Sequence, residues 1–162
     1  MDGISFLVDL IVTGRLHGIG CGASIEEVDQ AVKVDFIEVE DEEYETLRRD
    51  YGFVELYFSG GPGKWVMTSG MIELHRLAAD DEGMVAEWYR NMGVEFSEYH
   101  SWGELREKLS QTPDAPTLEL RRQGDYLEYR ALETKVSVTV VDDQGERDEC
   151  PGQGDIFSVS FG

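Results

Sequence analysis

The apolar residues of this chain change period near residue 50, and that change limits its fold more than any other feature. Before it, Phe6, Leu7, Leu10 and Ile11 recur at helical spacing within residues 4–16. Ile25, Val28, Ala31 and Val32 form a second stripe of the same kind. After it, residues 51–58 alternate, with Phe53, Glu55 and Tyr57 on one side and Val54, Leu56 and Phe58 on the other. Helices followed by alternating strands predict an α+β fold, an antiparallel sheet with helices packed on one face.

Local signals mark the boundaries. Val8, Ile11, Val12 and Thr13 would also suit a strand, but Gly14 and the run Gly18-Ile19-Gly20-Cys21-Gly22 end the first segment either way. Ser24-Ile25-Glu26-Glu27 is a capping-box pattern and predicts a helix over residues 25–33. The acidic residues 38–45 read as a solvated loop or a helix edge. Ser59-Gly60-Gly61-Pro62-Gly63 is a turn, with strands expected at 64–67 and 71–77.

The second half repeats the order. Asp80-Asp81-Glu82-Gly83 is a break, and residues 84–92 bring Val85, Trp88 and Tyr89 together as a helix. Ser101-Trp102-Gly103-Glu104 starts a capped helix carrying Leu105 and Leu109, which Pro113 and Pro116 stop. Strands are expected at 117–121, 126–133, 135–141 and 156–161, with a turn at Asp142-Asp143-Gln144-Gly145. Two tandem helix-helix-meander halves, 1–79 and 80–162, would then share one compact domain.

Charge narrows the class of partner. With 14 Lys+Arg against 34 Asp+Glu in 162 residues, the formal net charge is −20. Such a surface repels nucleic-acid phosphates and anionic lipid, so neither nucleic acid nor a membrane surface is an expected partner. Cationic partners are favoured: a basic protein, or metal ions such as calcium. The absence of an apolar stretch of about 20 residues argues against a membrane span. Two cysteines, Cys21 and Cys150, are too few for a disulfide framework. The start Met-Asp-Gly-Ile-Ser has acid where a signal peptide carries base, so a cytoplasmic location is expected.

Motifs for chemistry are weak. Gly18-Ile19-Gly20-Cys21-Gly22-Ala23 matches a dinucleotide fingerprint, with Glu38 or Glu40 as its acid, but no βα alternation follows. A turn feeding a helix is the simpler reading. His17, His75 and His100 are scattered, with neither metal-ligand spacing nor an evident cysteine partner. Asp125, Glu133 and Lys135 have the acid-acid-lysine spacing of metal-dependent nucleases, which makes a metal-dependent hydrolase the alternative reading. No cofactor is expected.

The acids Glu38, Glu40, Asp41, Glu42, Glu43 and Glu45 lack the glycine and terminal glutamate of a calcium loop. They read instead as a docking surface for Lys and Arg of a partner, with Tyr57 and Trp65 as candidate anchors. One of the three tryptophans, Trp65, Trp88 and Trp102, is expected at the surface.

The stretches Gly22-Ala23-Ser24-Ile25-Glu26-Glu27-Val28, Tyr51-Gly52-Phe53-Val54-Glu55-Leu56 and Ile72-Glu73-Leu74-His75-Arg76-Leu77 are similar to small acidic immunity proteins of actinobacterial polymorphic toxin systems. More loosely, they resemble the tandem α+β repeats of β-lactamase-inhibitory proteins, without the cysteine pairs those repeats carry. The resemblance covers about residues 22–77 and carries no catalytic residue. It implies a non-enzymatic protein that neutralises a basic toxin domain, such as a nuclease. The oligomeric state stays open.

Overall fold

A computed structural model of the chain describes residues 1–79, 83–145, 147–148 and 150–162. Most of the break expected at Asp80-Asp81-Glu82-Gly83 therefore lies outside the described residues. The first half contains helices α1 (Gly3–Thr13) and α2 (Ile25–Ala31) and strands β1 (Ile37–Asp41), β2 (Thr46–Asp50), β3 (Val54–Ser59) and β4 (Val66–Ile72), then a 3-10 helix at Leu74–Ala79. The second contains α3 (Met84–Met92), α4 (Trp102–Ser110), β5 (Leu118–Gln123), β6 (Tyr126–Ala131), β7 (Ser137–Val141) and β8 (Ile156–Phe161). All eight strands form one antiparallel sheet in the order β1-β2-β3-β4-β8-β7-β6-β5. The fold is α+β, as the change of period predicts.

The two halves are closed by matching devices. Helices α1 and α3 both stop at a glycine in the left-handed region, Gly14 at φ 70° and Gly93 at φ 68°. Each glycine N–H donates to the carbonyl four residues back, a backbone shape that L side chains resist. Ser24 and Ser101 cap α2 and α4 through their hydroxyls. Each capping serine also bridges the start of its half's last strand: Ser24 pairs with Val66, and Ser101 with Asp155 just before β8. The cap therefore fixes both a helix terminus and that helix's place on the sheet.

Alternation divides the sheet into two faces. Leu47, Val54, Leu56, Phe58, Ile72, Val138 and Val159 are buried in one cluster with residues of the helices. Phe53, Trp88 and Phe96 meet there edge-on or tilted, with centroids 4.8–6.0 Å apart. Each such side chain contributes roughly 1.5–3 kcal/mol by leaving water. The opposite face holds Glu55, Tyr57, Ser69, Ser158 and Ser160 and is mostly polar.

Several elements differ from expectation. Residues 38–45 are neither a plain loop nor a helix edge: they hold most of β1 and the turn into β2. The strands expected at 64–67 and 71–77 are one strand, β4, followed by the 3-10 helix. Thr68-Ser69-Gly70 interrupts the apolar pattern inside β4: the register against β3 shifts there and leaves Thr68 without an opposite residue, while Gly70 lies against Leu56 and Phe161, where a side chain would collide. No tryptophan is fully exposed: Trp88 and Trp102 are buried and Trp65 is half-buried against the core.

Candidate functional site

The acidic residues gather on one hairpin at the end of the sheet. Every residue of β1 is exposed, and β1 forms the sheet edge. Its register sets Glu38 opposite Arg49 and Glu40 opposite Leu47, on the helix side. Ile37, Val39 and Asp41 point to the open face, opposite Asp50, Arg48 and Thr46. The turn closes through Asp41, whose Oδ1 accepts from the N–H groups of Glu43 at 3.1 Å and Tyr44 at 3.2 Å. Glu45 then takes φ 50° and brings its carboxylate beside Gly61 of the next turn.

The buried Arg49 anchors the base of this hairpin. Its Nε donates to Glu38 Oε2 at 3.0 Å and its Nη1 to Asp29 Oδ1 of α2 at 2.6 Å. Its guanidinium also lies 4.1 Å from the Phe36 ring centroid. Among the described residues no cation pairs with Glu40, Asp41, Glu42, Glu43 or Glu45. These five carboxylates present an uncompensated field that extends about 10 Å at ordinary salt.

Apolar side chains stand among them. Phe36, Ile37, Val39 and Tyr44 are 41%, 71%, 50% and 71% exposed. Sequence reasoning missed these four, although Ile37-Glu38-Val39-Glu40 has the period of a strand with one apolar side. The anchors it named sit differently. Tyr57 is half-buried, and its hydroxyl donates to Glu55 Oε2 at 2.5 Å. Burial and that carboxylate push the Tyr57 hydroxyl up to about 12. Trp65 packs on the core, and its carbonyl accepts from Ile25 N–H at the start of α2.

Glu55 is the buried charge of the open face. Burial alone would raise its pKa, but the Tyr57 hydroxyl, Arg76 and Arg48 outweigh that and hold it below the usual carboxylate range. Arg48 and Arg76 each lie 3.2 Å from its Oε1. Both carboxylate oxygens of Glu55 thus have partners, Oε1 with Arg48 and Arg76 and Oε2 with Tyr57.

The remaining motifs separate in space. The glycine run follows helix α1 rather than a strand, and Gly22 N–H donates to Met67 of an antiparallel sheet, so no dinucleotide-binding βαβ unit forms. Asp125 lies in the β5–β6 turn, whereas Glu133 and Lys135 lie between β6 and β7. Strand β6 holds the two ends about 20 Å apart, too far for one metal site. Glu133 instead accepts from Thr117 N–H at 2.8 Å. Among the described residues no three His, Cys, Asp or Glu converge as a metal site. His75 belongs to the 3-10 helix and stacks on Phe157 at 4.1 Å; His100 is buried. Cys21 and Cys150 are exposed free thiols.

These features define an α+β protein with one antiparallel sheet and an acidic hairpin at its edge. No protein-family model, curated protein or solved structure matches the chain. Among the described residues no helix is long and apolar enough to cross a membrane.

Proposed function

We propose that this chain is a non-enzymatic binding protein that neutralises a basic protein partner in the cytoplasm, as an immunity protein does for a toxin such as a nuclease. One observation carries the reading: five uncompensated carboxylates share the β1–β2 hairpin with the exposed Ile37, Val39 and Tyr44, and the exposed Phe36 leads into it. The acids attract a cationic surface from a distance, and the apolar groups supply contact area once it arrives. Against a nuclease, the hairpin would take the place of substrate phosphate. No reaction has to be explained, which fits the dispersal of Asp125, Glu133 and Lys135.

The test is affinity capture from the native host, eluted by a salt gradient and read by mass spectrometry. The expected result is one basic protein in stoichiometric amount, released sharply by salt. A stoichiometric partner that is acidic, or whose retention ignores salt, would overturn the reading. So would divalent-ion-dependent hydrolysis that Glu133→Ala abolishes.

A further inference from the structure

Strand β1 ends the sheet, so β2 satisfies only one of its two edges. Among the described residues the β1 backbone makes no hydrogen bond outside that ladder. Proteins blunt such edges with proline, lysine, a bulge or a covering segment. Here Ile37-Glu38-Val39-Glu40-Asp41 contains no proline and no lysine. It pairs with β2 without a register shift, and all five residues are exposed. Its one guard is negative charge. Glu40 and Asp41, which unlike Glu38 have no cation partner among the described residues, repel another acidic strand and attract a basic one.

We propose that the free edge of β1 is a strand-addition site for an extended basic segment of the partner. This rests on the docking reading above and names the contact that the reading leaves open. A strand added there hydrogen-bonds to the outward N–H and C=O groups of β1. Lys or Arg at alternate positions then lies beside Glu38 and Glu40 on the helix side, and apolar residues between them lie beside Ile37 and Val39 on the open face. The far edge, β5, carries Arg121 and Arg122, so a second copy offers a basic strand too. A net charge of −20 on each copy opposes that pairing, and a foreign cationic chain is the favoured occupant.

The probe is a peptide of alternating Lys and Val, made with free backbone amides and again with every backbone amide N-methylated. Both forms carry the same charge and side chains. Because alternate amides face opposite edges of a strand, methylation at every one blocks both edges, so only the first form can complete a ladder. With the full chain at low salt, the free-amide peptide is expected to slow exchange of alternate β1 amides at least tenfold. The methylated form should bind at least tenfold more weakly, and Glu40→Lys should weaken the free-amide peptide. Equal affinity for the two peptides, binding without β1 protection, or no binding at all would overturn strand addition. If capture still yields a basic protein released by salt, the docking reading survives and only its contact moves. Protection of β1 amides that grows with protein concentration, with no peptide present, would overturn the proposal in favour of a second copy.

Discussion

Lowering the pH from 7 to 5 should remove about 2 kcal/mol of folding stability through His100 alone. The ring is buried beside α1, its Nε2 accepting from Ser97 N–H at 3.3 Å. Its Nδ1 is buried without a partner among the described residues. Burial pushes the imidazole down from 6.5 to about 4, and the Asp155 carboxylate only partly opposes this. Protonation would also place a hydrogen on Nε2 facing the Ser97 N–H, donor against donor. Between pH 6.5 and 4 the unfolded chain therefore binds more protons at this site than the folded one. Stability falls as the pH drops through that window, by roughly 3 kcal/mol in all. Urea unfolding of the wild type and of His100→Gln, measured at pH 7, 6 and 5, isolates the effect. Glutamine offers an amide oxygen to Ser97 and does not titrate. The stability difference between the two proteins should shift by about 2 kcal/mol between pH 7 and 5. Parallel curves would refute the assignment of a buried, neutral imidazole.

Three other outcomes follow from named contacts. Glu42→Lys with Glu43→Lys should slow association with a confirmed basic partner at low salt and matter less at high salt; an unchanged rate would remove the hairpin tip from the interface. Gly70→Ala should cost about 1–3 kcal/mol in urea unfolding, because its Cβ would stand 2.7 Å from Phe161 Cε1 and 2.9 Å from Leu56 Cδ2. Ser24→Ala and Ser101→Ala should each cost about 1 kcal/mol by the same assay, and a change in only one of them would break the equivalence of the two caps.

What was legible in the sequence was mostly local chemistry. The capping residues Ser24 and Ser101 with the glutamates three positions on marked two helix starts, because a cap is complete within four residues. The alternation of Val54, Leu56 and Phe58 identified β3, since that strand is covered on one face by the helix layer. Strand β1 escaped because an edge strand need bury nothing: its acids stay in water while its backbone still pairs. The strand expected at 71–77 runs into the 3-10 helix Leu74–Ala79 because Leu74 and Leu77, three apart, also fit a short apolar run. At the candidate site the acids were visible in composition. The exposed Phe36, Ile37, Val39 and Tyr44 were not, because exposure depends on where the sheet ends. Tyr57 and Trp65 were plausible anchors as isolated aromatics, yet the fold commits one to Glu55 and the other to the core.

The order of strands has a kinetic consequence. Every neighbouring pair within each half is joined by a connection inside that half, so six of the seven ladders can close over short chain distances. The seventh, β4 with β8, rests on three residue pairs, Gly70–Phe161, Met71–Ser160 and Ile72–Val159. Its partners lie 87–91 residues apart, the longest closure among the seven ladders and so the last of them expected to form. The strand latest in sequence thus sits at the middle of the sheet. Deleting β8 would remove the keystone rather than trim a margin: the meander β1–β4 would keep its strands but expose β4, and the second meander would end at a bare β7.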